Sequence, residues 1–304
     1  MSEAPTPSEI VAGFVRLLTV APDGKDRFTG TPQQGGLGRV FGGQVIAQAL
    51  QAAEATAPAG FAAHSLHAYF LRGGEEGVDT RYRVERDLDG RSFVNRRVVA
   101  QQGSAPILTL TASFQRPEDG LEHLDAAIPD VPPPEQLLPD SEQRRAILSR
   151  VGERMSEAQR ALFLRPRPIE MRTVGKLHWM NCEPSAPFAQ SWFRAVAPLP
   201  DDPALHRAVI AYASDLTLLG TAALPHGLSW MRGELNGASL DHAIWFHRDT
   251  RADDWLLYAT DSPWSGGGRG FNRGRIFDRA GNLVASVAQE GMMRRRANKA
   301  APEE

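Results

Sequence analysis

One pattern of segments occurs twice along this chain, and it limits the possible folds more than any other feature. The first copy comprises VIAQAL (45–50), HSLHAYFLR (64–72) and RSFVNRRVVAQQGSAPILTLTASF (91–114). The second copy comprises VIAYAS (209–214), SLDHAIWFHR (239–248) and RGFNRGRIFDRAGNLVASVAQE (269–290). The separation between the copies rises only from 164 to 174 and then 176 residues along the chain. Three ordered matches with loop-sized drift predict two copies of one fold in 304 residues.

Each copy begins with a helix that is rich in small and apolar residues. In the first copy the apolar positions fall on one helical face, and they are Val45, Ile46, Ala49, Leu50 and Ala53. In the second copy Asp202 is placed to cap the helix, and Pro203 occupies its first position, where a missing N–H costs nothing. An apolar stripe continues until Pro225 and Gly227, which predicts a single helix of about five turns.

Antiparallel strands follow the helix in each copy. Residues 239–246 alternate with the two-residue period of a strand. Three further strands are predicted in the second copy, and they span 255–262, 270–279 and 283–293. A turn at Gly281 and Asn282 joins the last two as a hairpin. The predicted fold class is therefore α+β, with two copies of a long helix wrapped by a curved antiparallel sheet.

Residues 116–170 differ in character from both copies. Five prolines between positions 129 and 139 favour an extended chain, and 141–163 is predicted to be a charged surface helix. These features divide the chain into three parts, which are an N-terminal domain (1–120), a linker with a surface helix (121–165) and a C-terminal domain (166–304).

Charge and cysteine content exclude several classes of protein. The formal net charge is −2, from 34 Lys and Arg against 36 Asp and Glu, so a general phosphate-attracting field is not expected and no nucleic-acid partner is predicted. The single cysteine, Cys182, cannot form an internal disulfide and is interpreted as a half-buried small residue. A reducing compartment is expected.

The ends of the chain and its hydropathy predict neither a targeting signal nor a membrane span. MSEAPTPSEI lacks the basic and then apolar order of a signal peptide. The longest apolar runs are shorter than the ~20 residues that cross a bilayer. The final APEE matches neither a peroxisomal nor an ER-retention address. We therefore expect a cytoplasmic protein.

Several kinds of catalytic and binding motif are missing from the sequence. There is no G-x-S-x-G turn of a serine hydrolase. GLGRVFGG (36–43) fits no nucleotide-binding loop and is interpreted as a turn before a helix, although the free N–H groups near Gly42 and Gly43 are able to hold a carbonyl or phosphate oxygen. The histidines lack metal-ligand spacing, so no metal site is predicted at His64, His67, His242 or His247.

Three polar residues of the second copy are candidates for chemistry. Asp215 interrupts an otherwise small and apolar helix, where it is either on a solvated face or a base that faces the space between helix and sheet. Ser239 opens the next strand, and Gln289 interrupts an alternating apolar row. Each of these two is by itself an ordinary polar strand residue. Together with Asp215 they supply an acceptor, a hydroxyl and an amide that could hold one water molecule.

At these residues the sequence resembles the TesB-type acyl-CoA thioesterase II family of double hot-dog enzymes. The similarity extends over nearly the whole chain, and its motifs are RVFGGQVIAQAL (39–50), HSLHAYFLRGG (64–74), DGRSFVNRRVVA (89–100), TASFQRPEDGLEH (111–123), YASDLTLL (212–219), LDHAIWFHR (240–248), WLLY (255–258) and RGFNRGRIFDRAGNLVASVAQEGMMR (269–294). Motifs of this length and order are specific. The resemblance implies a tandem double hot-dog fold.

The resemblance also implies hydrolysis of fatty acyl-CoA to free acid and CoA, without a cofactor. In that family an aspartate, a threonine or serine and a glutamine orient the attacking water, and these roles fall on Asp215, Ser239 and Gln289. Serine stands here where many relatives carry threonine, so its χ1 is less restricted. The first copy has Gln51 and Ser113 at the aspartate and glutamine positions, which predicts one competent triad per chain.

The expected mechanism uses Asp215 as the base and backbone N–H groups near Gly42 and Gly43 to stabilise the developing oxyanion. The two copies are expected to join their sheets edge to edge and the chain to form a homo-oligomer. Two alternatives remain, a non-catalytic acyl-CoA binding module and a hot-dog hydratase. A hydratase requires an Asp/His pair, and His206 lies nine residues from Asp215 on the same predicted helix.

Overall fold

A computed structural model describes residues 5–33, 36, 38–151, 155–177, 183–228 and 232–296. The interpretation of Cys182 lies outside the described residues. The α-helices in these ranges are α1 (Pro7–Leu18), α2 (Gly42–Glu54), α3 (Asp140–Val151), α4 (Glu157–Leu164) and α5 (Pro203–Ser214). Two 3₁₀ segments, Pro134–Gln136 and Leu218–His226, accompany them. Helix α1, which begins with a Thr6/Glu9 capping box, was not predicted from the sequence.

The strands of the first copy precede α3, and those of the second copy follow α4. The first set is β1 (Val20–Pro22), β2 (Arg27–Gly30), β3 (Ala62–Phe70), β4 (Thr80–Asp89), β5 (Phe93–Gln102) and β6 (Ala105–Gln115). The second set is β7 (Ile169–Thr173), β8 (Phe188–Ala195), β9 (Leu235–Ser239), β10 (Asp241–Phe246), β11 (Leu256–Gly266), β12 (Arg269–Phe277) and β13 (Leu283–Arg295).

The described strands form one sheet that runs through both copies. Its order is β1-β2-β4-β5-β6-β3-β10-β13-β12-β11-β8-β7, and β9 pairs separately with β13. The two copies meet where β3 pairs antiparallel with β10, with His242 opposite Ala68. The fold class predicted from the sequence is therefore confirmed, and the copies join edge to edge as expected.

Helix α2 is buried on all sides rather than on the one face predicted. It packs on α1, on α5 and on strands β3 to β6, so even its polar residues are enclosed. Gln48 is fully buried, and its amide donates to the carbonyls of Leu17 and Thr31 while its Oε1 accepts from the Tyr82 hydroxyl at 2.6 Å. These bonds remove the cost of burying the amide.

The second core helix is shorter than predicted. Helix α5 begins as expected, because the Asp202 carboxylate accepts from the Ala204 N–H and Pro203 occupies the first turn. It ends at Ser214, whose carbonyl accepts a hydrogen bond from the Tyr258 hydroxyl at 3.0 Å instead of continuing the α-helical ladder. The 3₁₀ segment then runs to the predicted stop at Gly227, which has φ +59°.

The helical stretch Pro203–His226 has the length and composition of a membrane span, with a mean hydropathy of 1.3 over its most apolar window. Within the protein 72% of that window is buried. A helix in the core of a globular domain meets the same length and composition test, so this stretch is weak support for a span.

The linker contains two short helices, α3 and α4, where one long surface helix is predicted. A capping box at Ser156 starts α4 anew, and residues 152–154 between the helices are not described. Helix α3 is anchored to the second copy because the buried Asp140 carboxylate accepts from the N–H and hydroxyl of Thr173. The segment is therefore attached to the domain rather than only connecting the two copies.

Two predicted features of the C-terminal strands have different outcomes. The hairpin between β12 and β13 is confirmed, with Gly281 at φ +86° in its turn. Ser239 does not open a strand, because it is the last residue of β9 and β10 starts at Asp241. The chain changes its pairing partner here, since Ser239 pairs with Gly291 whereas Ala243 pairs with Ala288 and His67.

Candidate active site

Asp215 lies where the end of α5 meets the beginning of α2. It is the C-cap of α5, rather than a residue in the middle of a longer helix, and its carboxylate accepts a hydrogen bond from the Gly43 N–H. A Cβ on Gly42 would lie 2.8 Å from Asp215 Oδ2, and one on Gly43 would lie 2.6 Å from the Tyr212 carbonyl oxygen. Both positions therefore require glycine for the helix ends to approach so closely.

The structure brings together the three side chains singled out from the sequence. Gln289 Nε2, on β13, donates to Asp215 Oδ1 at 2.7 Å. The Ser239 hydroxyl, at the end of β9, donates to the same oxygen at 3.4 Å, which is a long and weak contact. Three elements that are distant in sequence thus converge on one carboxylate.

A second layer of hydrogen bonds lies behind Gln289, and its proton positions follow from the geometry. The Ser214 hydroxyl donates to the Ala211 carbonyl, so it accepts from His242 Nε2–H at 2.9 Å. His242 Nδ1 is then an acceptor, and Gln289 Nε2 donates to it at 2.9 Å. The opposite amide orientation would place the Gln289 oxygen against Asp215, which is repulsive.

Burial dominates the electrostatics of this network. It raises the pKa of Asp215 from 3.8 to about 6, against the opposing effect of the hydrogen bonds from Gln289, Gly43 and Ser239. Burial likewise lowers the pKa of His242 to about 3, so the imidazole is neutral at physiological pH, as the proton positions above require. Asp215 is therefore a carboxylate whose basicity has been raised toward neutrality.

A cavity of about 660 Å³, which we call the Asp215 cavity, opens in front of this carboxylate. The second copy contributes Asp215, Ser239 and the start of the 3₁₀ segment, and the first copy contributes the start of α2 and the end of β3. Gln289, which is 1% exposed, and His242, which is fully buried, are not in the lining. Asp215 and Ser239 can thus touch a ligand, whereas Gln289 and His242 act behind them.

The other histidines considered in the sequence have ordinary polar contacts. His64 and His247 bond to the hydroxyls of Ser113 and Ser286, and His67 packs edge-on against Trp245. His206 Nδ1 accepts from the Ala252 N–H in the first turn of α5, far along the helix from Asp215. In the described part of the chain, no group of three or more His, Cys, Asp or Glu side chains is arranged to hold a metal ion.

His242 and Ser214 belong to the site but were not identified from the sequence. The signal was present, since His242 occupies an inward position between Leu240 and Ile244 in an alternating row of β10. A histidine in an apolar row indicates a buried polar partner. The identity of that partner, however, depends on the packing of β10 against α5.

Two family profiles match the chain, one for each copy. The profile described as "Acyl-CoA thioesterase" matches residues 159–292, and the profile described as "Acyl-CoA thioesterase N-terminal domain" matches residues 31–115. The two matched regions contain α5 with β8 to β12 and α2 with β3 to β6.

Curated relatives extend the similarity to nearly the full length. Acyl-coenzyme A thioesterase 8 of Homo sapiens is 37% identical over 284 residues, which cover 91% of this chain and 88% of that protein. Acyl-CoA thioesterase 2 of Haemophilus influenzae is 36% identical over 287 residues, which cover 94% of this chain and 99% of that protein.

Solved structures share the fold. Acyl-CoA thioesterase II TesB2 from Mycobacterium marinum superposes with a TM-score of 0.74 at 39% identity, covering 93% of this chain and 98% of that chain. A protein with a hot dog fold from Alicyclobacillus acidocaldarius also has a TM-score of 0.74, at 18% identity over 94% and 99% of the two chains, which is a likeness of fold alone. The predicted hot-dog architecture is confirmed.

Proposed function

Because the chain belongs to the acyl-CoA thioesterase family, we propose that it hydrolyses fatty acyl-CoA to free fatty acid and CoA at one site per chain, with Asp215 as the general base. The observation that carries this proposal is the convergence of Gln289 and Ser239 on the Asp215 carboxylate at the wall of a cavity. No cofactor takes part in the proposed reaction.

The basicity of Asp215 suits this role. A carboxylate with a pKa of about 6 is largely ionised at pH 7 to 8 and accepts a proton more readily than an ordinary aspartate. Asp215 takes a proton from water as the water oxygen attacks the thioester carbon. The C–S bond then breaks, and the same proton passes to the departing thiolate, which restores the carboxylate and releases CoA.

Ser239 and Gln289 have different parts in this proposal. Ser239 lines the cavity and holds the water beside Asp215 through its hydroxyl. Gln289 lies behind the carboxylate and acts on the water by fixing the orientation of Asp215 Oδ1. His242 and Ser214 fix Gln289 in turn, so we assign them a positioning role.

The oxyanion is assigned to the first turn of α2. The N-cap residue Phe41 makes no side-chain cap hydrogen bond within the described structure, so the N–H groups of this turn are available to a ligand. Since the Gly43 N–H already donates to Asp215, the Gly42 N–H is the better donor to the developing negative charge. This narrows the pair of glycines predicted from the sequence to one.

A thiol-release assay with acyl-CoA substrates of increasing chain length tests the proposal. We expect release of CoA and free acid, with the chain-length optimum set by the apolar part of the Asp215 cavity. A hydratase or a non-catalytic binding module would liberate no CoA, so absence of release above the buffer rate for every chain length would refute the proposed function. The cytoplasmic location and the homo-oligomer remain predictions, to be checked by fractionation and by light scattering.

A further inference from the structure

A second cavity, of about 430 Å³, lies between the linker helices and the core. We call it the arginine cavity, because five arginines contribute to its lining, which are Arg39, Arg144, Arg145, Arg165 and Arg167. Its walls come from α3, the end of α4, β7, the segment before α2 and the later part of α5. The linker segment therefore encloses a space that neither copy would form without it.

The carboxylates in this lining are already engaged. Asp140 accepts two hydrogen bonds from Thr173, Glu76 accepts from the N–H groups of Gly36 and Gly38, and Glu170 pairs with two arginines outside the cavity. None of these acids forms an ion pair with a cavity arginine among the described residues. The cavity thus has an excess of positive charge.

Arg144 is the residue that most requires an explanation. It is 8% exposed, and within the described part of the chain its Nε has no hydrogen-bond partner. Burial, together with the positive charge of Arg167, lowers the pKa of Arg144 to about 10, so it remains charged at neutral pH. A buried guanidinium without a partner is unfavourable unless an anion binds to it.

The arginine cavity adjoins the Asp215 cavity. Arg39, Val40, Phe41 and Leu216 line both, and Leu216 follows Asp215 directly in sequence. A ligand whose reacting atoms lie at Asp215 can therefore extend past Phe41 and Leu216 toward Arg144. Such a ligand would have an apolar part, a reactive centre and an anionic part in that order.

We propose that the arginine cavity binds the phosphate groups of the CoA portion of the substrate, with Arg144 as the buried anchor and Arg145 and Arg167 at the exposed rim. This proposal rests on the function proposed above. The guanidinium fork matches phosphate oxygens in geometry and charge, and burial strengthens the interaction. The linker would then contribute to recognition of the substrate and not to the chemical step.

The test compares an acyl-CoA with the same acyl thioester of N-acetylcysteamine, which has the thioester but no phosphate. In Arg144→Gln we expect KM for acyl-CoA to rise by about tenfold to a hundredfold, the effect of losing one charge-assisted hydrogen-bonding partner. We expect kcat, and both constants for the truncated thioester, to stay unchanged. Arg167→Gln, at the exposed rim, should show the same pattern more weakly, and it serves as the test if Arg144→Gln does not fold.

Arg97→Gln is the matched control, because Arg97 is an exposed arginine on β5 that pairs with Asp87 and lies outside both cavities. It should change none of these constants. An unchanged KM for acyl-CoA in both cavity variants, or an equal rise for both substrates, would overturn the phosphate assignment. Loss of wild-type activity toward both substrates would instead refute the proposed function.

A competition experiment separates the substrate's own phosphates from a free regulator. Adenosine 3′,5′-bisphosphate should inhibit hydrolysis of acyl-CoA competitively, and Arg144→Gln should weaken this inhibition. If the bisphosphate changed kcat for the truncated thioester, the cavity would be a regulatory site, and the assignment to the substrate would be wrong.

Discussion

Helices α2 and α5 lie antiparallel, so the end of each meets the beginning of the other, and the two meetings differ. At the first, the end of α5 presents Asp215 to Gly42 and Gly43 at the uncapped start of α2. At the second, the end of α2 presents Gln51, whose amide donates to the Ala204 carbonyl at the start of α5. The first meeting borders a cavity, and the second is closed by side chains.

The closure of the second meeting can be followed residue by residue. By the offset of 164 residues, Gly43 corresponds to Arg207 and Asp215 corresponds to Gln51. Arg207 is 8% exposed at its side chain and pairs with Glu54 and Asp249. The N–H groups that α2 leaves available are also reduced in α5, because Pro203 has no N–H and the Asp202 carboxylate accepts from Ala204.

The comparison teaches how a duplicated fold retains one site. Both meetings have the same backbone arrangement, but glycine keeps one open and arginine fills the other. A carboxylate is held at the open one, and an amide with a structural bond occupies the closed one. The expectation of a single competent site per chain is in accord with this difference, and the following predictions test it in order of decreasing effect on activity.

The largest effect is expected from Asp215→Asn. We expect kcat to fall by about 10²–10⁴-fold, the usual contribution of a general base, with the fold intact because the amide oxygen can still accept from Gln289 and Gly43. The matched variant Gln51→Ala, at the corresponding position, should keep its kcat and lose about 1 kcal/mol of stability with the bond to Ala204. Retention of about half of the wild-type kcat in Asp215→Asn would contradict the role of the base.

The raised pKa of Asp215 also has a sign that can be tested. In the folded chain its pKa is about 6, above its ordinary value of 3.8. Its ionisation therefore opposes folding above pH 6, by roughly 3 kcal/mol at most, and this cost disappears as the pH falls toward 3.8. Asp215→Asn should thus unfold at higher urea concentration than the wild type at pH 8, and the wild-type kcat/KM should decline below a pH of about 6.

Ser239 should give the next largest effect. Ser239→Ala removes a hydroxyl from the wall of the cavity and is expected to lower kcat by about tenfold to a hundredfold. Ser239→Thr keeps the hydroxyl and should remain active. Ser65 occupies the corresponding position of the first copy, so Ser65→Ala should leave kcat unchanged. Equal rates for serine, threonine and alanine at position 239 would show that its hydroxyl has no part in the reaction.

His242→Phe should have a smaller effect of a distinctive kind. It removes the acceptor for one Gln289 hydrogen, so kcat should fall by about tenfold while KM is retained. A looser Gln289 also weakens the hydrogen bond that lowers the pKa of Asp215, so the acid limb of the pH profile should move above pH 6. His247→Phe, just beyond β10, should move neither quantity. A lower kcat with an unshifted limb would indicate a packing defect alone.

The smallest effect on activity is expected from Arg207→Leu, at the closed meeting. It leaves the buried Glu54 carboxylate without its partner and should cost about 3–5 kcal/mol of stability. At a temperature where the variant is folded, kcat should equal that of the wild type. Unfolding in urea and thiol release measure the two quantities. A loss of kcat comparable to that of Asp215→Asn would mean that the two helix meetings are not independent.

Local features of the sequence determined much of this protein. The repeat, the stop of the helical stretch at Pro225 and Gly227, and the hairpin turn at Gly281 are each encoded within a few residues, by φ preferences and missing N–H groups. The polar interruptions at Ser239 and Gln289 were likewise visible, because each breaks a short apolar pattern.

Tertiary packing decided the rest. Helix α5 ends before Asp215 because the hydroxyl of Tyr258, 44 residues away, takes the Ser214 carbonyl. His242 enters the site because β10 packs it against Ser214 and Gln289. Arg144 faces a cavity only because the linker folds back over the core. Hydrogen bonds and cavities between distant segments depend on how elements meet in space, and residue periodicity carries no record of those meetings.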